Sequence, residues 1–232
     1  MKYIKFQNDS YKDKVSIAKN FIKKNLNIEI ENLIIKNNWE EDAILCVNIL
    51  NNTISVENQN YLNEKLNLSH LRDRRTPVEY ACDLILGWVI EDGIVDILNS
   101  LKIKSELNSA DRNRKFLKKP KSSSDLKIKN HQGKTILIEL VKDYTSYWSR
   151  NGSIELRDNK YNNLKNENSI LLGIDFKNNE FFIMKIDEIE ATFIPFHYPF
   201  RKPAYSIEIK KDDFHDLNHA KQIFSKFFNN LY

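Results

Sequence analysis

Asp125 and Glu139 are the residues of this chain whose types and spacing best suit a reaction centre. Both lie in KSSSDLKIKNHQGKTILIELVKDYTSYW, from Lys121 to Trp148. DLKIKN reads as a short strand, HQGK as a turn and TILIEL as a second, more apolar strand. The two acids then fall on adjacent strands of one hairpin. Paired carboxylates are hard oxygen donors suited to Mg²⁺. With a lysine beside them they are the parts needed for metal-assisted phosphodiester cleavage. An acid inside ILIELV is also costly unless it is paired or holds a cation.

Three lysines compete for the third place. Side chains alternate along a strand, so Thr135, Leu137, Glu139 and Val141 share one face and Ile136, Ile138, Leu140 and Lys142 the other. Lys142 is nearest to Glu139 in sequence, yet points away from it unless a bulge turns it back. Lys127 shares a face with Asp125. Lys160, on the helix expected next, is the third possibility.

An acid at one strand, an acid inside the next and a lysine after it resemble the core of the PD-(D/E)XK nuclease superfamily, which includes type II restriction endonucleases. The likeness spans roughly residues 76 to 186. Ser124 stands where the motif has proline. Val141 stands two residues after Glu139 where the motif has lysine, and Lys142 comes one residue later. The resemblance implies a Mg²⁺-dependent endodeoxyribonuclease, restriction enzyme-like, cutting double-stranded DNA at a specific sequence. Asp125 and Glu139 would hold the ion, with Lys142 or Lys127 beside the attacking water. It further implies a homodimer on a short palindromic site, because two-fold protein symmetry matches two-fold DNA symmetry. Relatives often bring a helical glutamate to the metal; Glu79 and Glu91 are the candidates, and a capping role competes for Glu79. The alternatives are a structure-specific, repair or defence nuclease of the same superfamily, a catalytically inactive DNA-binding protein on this fold, and a structural partner protein using the aromatic C-terminal region.

Positive charge gathers around the helix before the site, at Arg72, Arg74, Arg75, Arg112, Arg114, Lys115, Lys118, Lys119 and Lys121. Arg112, Arg114 and Lys115 are expected to meet phosphates, and Asp111 to hold a metal or pair with an arginine. Tyr144, Tyr147 and Arg150, beyond the second strand, are further DNA-binding candidates. So are Arg201 and Lys202, with Phe200 and Tyr205 beside them, in a stretch rich in proline and aromatics. His215 and His219 have zinc spacing for a helix but no evident third ligand.

The supporting elements follow from periodicity and caps. Residues 11 to 26 read as an amphipathic helix. NIEIENLIIK suits a strand or a short helix, AILCVNIL a buried helix or strand, and residues 57 to 68 a helix. Thr76-Pro77-Val78-Glu79 is a capping box with proline at the first helical position. SIELRDNKYNNLKN reads as a helix from Ser153, SILLGIDF and EFFIMKI as a strand pair, and YSIEI as a final strand. Strand, helix, strand implies a parallel crossover. The expected fold is α/β (α+β), a mixed central sheet flanked by helices in a restriction-endonuclease-like core. Residues 1–75 form an N-terminal helical or mixed region and residues 76–232 the nuclease-like core.

The chain has 232 residues, 29% charged and 41% hydrophobic, with a net charge of +4. That mild basic balance suits a nucleic-acid partner. No apolar run reaches the ~18 residues a spanning helix needs, so no membrane association is expected. MKYIKFQNDSYKDK has no apolar signal region, and Cys46 and Cys82 have no metal-ligand spacing. A cytoplasmic protein is the expectation.

Overall fold

The computed structural model describes residues 3–4, 9–66, 75–108, 112–117, 124–129 and 133–229. The chain divides into two compact units, residues 1–96 with 109–121, and residues 97–108 with 122–232.

In the first unit β1 (Tyr3–Ile4) pairs with β2 (Ile54–Ser55). Around them stand α1 (Ser10–Leu26), α2 (Ile30–Lys36), α3 (Ala43–Leu50) and α4 (Val56–Leu66). NIEIENLIIK thus resolves as a helix, with Ile30, Leu33 and Ile34 buried at helical spacing. The long helix α5 (Pro77–Ser100) belongs to this unit as far as Asp96. Its start is the expected capping box. Glu79 N–H donates to Thr76 Oγ1 at 3.2 Å, and Glu79 Oε2 accepts from the Thr76 N–H at 2.9 Å and hydroxyl at 3.0 Å. The helix continues through Gly93, which sits where Ile22 of α1 comes close.

The second unit carries a six-stranded sheet of order β11-β8-β7-β5-β4-β3. Its strands are β3 (Ser105–Leu107), β4 (Leu126–Lys129), β5 (Thr135–Asp143), β7 (Ile170–Asp175), β8 (Glu180–Lys185) and β11 (His215–Asp216). Only β5 and β7 run parallel; the remaining pairs are antiparallel. Between β5 and β7 come α6 (Tyr147–Asn151), β6 (Ser153–Arg157) and α7 (Asp158–Asn166). The fold is therefore the expected mixed α/β sheet with flanking helices. Every residue of β7 is buried, as befits a strand covered on both faces.

Two features depart from the expected elements. Ser153 to Arg157 form a strand, and the helix begins only at Asp158. Ile154 and Leu156 are both buried, alternating as a half-buried strand requires. β6 also does not join the large sheet. It pairs with β10 (Lys202–Glu208), which pairs with β9 (Ala191–His197), giving a separate sheet of order β6-β10-β9.

The two faces of the large sheet have separate cores. Phe182 joins Trp148, Ile154, Leu156, Tyr161, Leu164, Leu171 and Ile207, which link α6, α7 and the small sheet to it. Phe181, the neighbour of Phe182 and so on the opposite face, meets Phe224 of α8 (Ala220–Asn229) with ring centroids 5.1 Å apart. His215 lies on β11 and His219 in a short 3₁₀ turn, so the pair does not share a helix turn. Gly173 of β7 sits beneath the Phe182 ring, which occupies the space a Cβ would need. Gly173→Ala is expected to destabilise the protein by about 1–3 kcal/mol, as overpacking does, read as a lowered urea midpoint. Among the described residues no helix is long and apolar enough to cross a membrane.

Candidate functional site

The β4–β5 register brings the two acids together. Leu126 pairs with Ile138 and Lys127 with Leu137, so one step further Asp125 stands opposite Glu139. Directly opposed antiparallel residues have Cβ atoms about 4.5–5.5 Å apart. The Leu140 N–H donates to Asp125 Oδ2 at 2.9 Å. The backbone carbonyl of Asp125 accepts from the Asn108 N–H at 2.9 Å, and the Asn108 amide reaches the Ser124 carbonyl at 3.2 Å. Thus the segment just after β3 pins the approach to β4. Asn99, in the last turn of α5, brackets Ser105 with both its amide groups.

Glu139 is buried, and Lys160 approaches its Oε2 at 2.6 Å. Lys160 lies in the first turn of α7, where a cation opposes the helix dipole. The Glu139 carboxylate offsets that cost. α7 is held in place by Tyr161 and Leu164 in the core it shares with Val141 and Leu171. Val141, on the same face as Glu139, packs against that core, and the lysine found against Glu139 comes from α7.

The other two lysines are placed differently. Lys127 shares the acids' face but pairs across the strands with Glu106 at 3.3 Å. Lys142 lies on the opposite face of β5, with no register shift between β5 and β7 to turn it back. Its charge still reaches Asp125.

Asp125 is pushed up from its ordinary 3.8 to about 7, first by burial and next by the charge of Glu139. Lys142, the Leu140 N–H and Lys160 oppose the shift. A folded-state value above the unfolded one favours folding only while the proton stays bound. The contribution is full below about pH 4 and is lost as pH rises through about 7. In chelator, this group alone should make the protein less stable at pH 8 than at pH 5, by on the order of 3 kcal/mol at most. Asp125→Asn keeps an acceptor for Leu140 and carries no charge. It is expected to abolish that pH dependence and raise stability at pH 8, seen as urea midpoints at the two pH values.

The donor set fits a hard divalent cation. A cation held between the two acids would relieve the repulsion that Glu139 exerts on Asp125. Among the described residues no group of three or more His, Cys, Asp or Glu side chains lies together. Mg²⁺ tolerates this, since it is commonly held by one or two carboxylates with water and phosphate completing the shell.

Glu79 is not free for such a role, because its Oε2 closes the cap of α5. Glu91 is bound to Arg114, Nη1 to Oε2 at 2.8 Å. Arg114 itself corrects an expectation: it is 1% exposed and presents no surface to phosphate. Its guanidinium also meets Asp92 Oδ1 at 2.6 Å and the Trp88 carbonyl at 3.3 Å. Asp92 takes the Trp39 indole N–H and the Asn37 amide as well. Arg114 is thus the hub of a satisfied buried network.

Arg112 is exposed, and Lys115 is exposed with Glu40 3.8 Å away. Tyr144 is half-buried and stacks on Phe176 at 4.8 Å, while Tyr147 is exposed. Arg150 is exposed, but its guanidinium bonds the Ser146 and Thr145 carbonyls. Arg201 and Lys202 are exposed on the β9–β10 hairpin. Arg72, Arg74, Asp111, Lys118, Lys119 and Lys121 lie outside the described residues.

A second acidic pair, Asp143 and Asp175, ends the parallel strands β5 and β7 side by side. Both are buried. Asp143 accepts from Thr145 and from the Trp148 N–H; Asp175 accepts from Ser146, Ser149, Lys177 and Asn178. They fasten the loops at this edge. Comparison of the chain with family models, curated proteins and solved structures finds no match.

Proposed function

We propose that this chain is a Mg²⁺-dependent endonuclease that hydrolyses phosphodiester bonds in double-stranded DNA, similar to restriction enzymes of the PD-(D/E)XK superfamily. The observation that carries the reading is the convergence of Asp125 and Glu139 from adjacent strands with Lys160 against Glu139. Asp125 and Glu139 would hold the ion, which supplies Lewis acidity at the scissile phosphate and an activated water. Lys160 restrains Glu139 and places a cation where negative charge develops in the transition state. A homodimer on a palindromic site and a cytoplasmic location complete the proposal.

One observation favours a second reading. Lys160 already balances Glu139 at 2.6 Å, which also suits a DNA-binding protein that does not cut. Incubating plasmid DNA with the protein and Mg²⁺, with a chelator control, and sequencing the fragment ends decides between them. The endonuclease yields discrete ends that chelator suppresses. A binding protein retards DNA, with steep salt dependence, and leaves it intact.

A further inference from the structure

The β9–β10 hairpin runs past the end of β6. Ala204 is the last β10 residue to find a β6 partner, at Arg157, and beyond it only β9 and β10 remain paired. A sheet edge that leaves its core this way normally carries polar residues. This one carries Phe193, Phe196 and Tyr198, which are 48%, 60% and 84% exposed.

The turn that displays them is braced from within. Phe200 stacks near His197 with ring centroids 4.3 Å apart, and the Arg157 guanidinium lies 5.4 Å over the Phe200 ring. The Arg201 N–H closes the turn on the His197 carbonyl at 2.8 Å. Phe196 and Tyr198 are left outside this brace, edge to face at 6.0 Å. From Ala191 to Pro203 there is no acidic residue, while Arg201 and Lys202 are exposed. Pro195 removes one N–H from the edge strand, which disfavours strand addition by another protein.

We infer that this hairpin is a nucleic-acid contact in which Phe196 and Tyr198 stack on unpaired bases while Arg201 and Lys202 hold the adjoining phosphates. Aromatic faces beside cations are the usual means of holding single-stranded nucleic acid. Position supports this. Arg157, which covers Phe200, immediately precedes α7, and Lys160 stands in the first turn of that helix against Glu139. Tyr161, the next residue, stacks on Tyr205 of β10 at 4.2 Å. One helix start therefore ties the hairpin to the carboxylate pair. The contact is argued from the hairpin itself; joined to the nuclease reading, it narrows that reading to duplex DNA with unpaired or unstacked bases.

The test uses the full chain in chelator with three fluorescein-labelled probes: a single strand, its perfect duplex, and that duplex with mismatched central bases. Polarisation should show preference for the probes with unpaired bases. Phe196→Ala with Tyr198→Ala should weaken binding of those probes by about tenfold or more and leave the salt slope unchanged. Tyr198→Trp should retain binding. Arg201→Ala with Lys202→Ala should weaken all three probes and flatten the salt slope. Both pairs are exposed, so circular dichroism should match the parent. Unchanged affinity and preference in the aromatic double variant overturns the inference, as does a change confined to oligomeric state by light scattering. If that variant binds normally and the parent cuts DNA, the inference falls and the nuclease reading stands. If the parent never cuts yet the variant loses the preference, the inference stands without the nuclease reading.

Discussion

Asp125→Ala and Glu139→Ala are each expected to lower Mg²⁺-dependent cleavage of supercoiled plasmid by about 10³-fold or more, the upper end of losing one preorganised electrostatic contributor. Either change removes half of the oxygen donors that the β4–β5 register brings together. The paired-strand geometry makes the two losses equivalent, because a single carboxylate leaves the cation loosely placed. Asp125→Asn and Glu139→Gln sharpen the test, since both keep side-chain volume. Asp125→Asn also retains the acceptor for the Leu140 N–H. Cleavage lost in a variant that is more stable at pH 8 than the parent cannot be put down to unfolding. Full cleavage in either variant removes the site. Protonation adds a second signature. With Asp125 raised to about 7, proton and cation compete for the same oxygens. At sub-saturating Mg²⁺ the rate should climb with pH to about 7 and then level, and more Mg²⁺ should move the rise to lower pH. Asp125→Asn should remove that rise.

The Asp125–Glu139 pair was legible because a hairpin is local. Its turn and its alternation of apolar residues fix which residues oppose one another, and a carboxylate inside ILIELV stands out on cost alone. The capping box at Thr76 was legible for the same reason. Lys160 was visible only as one of three options. It reaches Glu139 through a crossover whose path depends on how α7 packs on the sheet, and spacing along the chain does not encode that. Ile154, Arg157, Tyr161 and Leu164 fit a helical stripe, yet Ile154 and Leu156 alternate equally well. Pairing with β10, distant in sequence, decided for a strand over Ser153–Arg157. Arg114 shows the limit of charge counting. An arginine among other basic residues looks like surface until Glu91 and Asp92, on one turn of α5, are seen to enclose it.

Lys160→Met is expected to slow single-turnover cleavage by about 10²- to 10³-fold, the range for removing one charge-stabilising donor. Lys127→Ala and Lys142→Ala should each cost less than about tenfold, because Lys127 is engaged by Glu106 and Lys142 lies on the other face of β5. Methionine keeps the length of the stem and its packing without the ammonium, which limits the structural cost of the change. That cost is real, since removing one partner of a largely buried ion pair leaves the other charge uncompensated. Cation binding separates the two roles. In the parent, Lys160 draws on Glu139, and a bound divalent ion would draw on it as well. Removing the ammonium should therefore tighten Mg²⁺ binding, measured by calorimetry, while the cleavage rate falls. A lysine with only a structural role predicts weaker stability with no such opposition, and added Mg²⁺ would restore both stability and rate by occupying the vacated charge. If Lys160→Met cuts at the parental rate while Lys127→Ala or Lys142→Ala does not, the assignment of the lysine to α7 is wrong and the strand lysine regains the role.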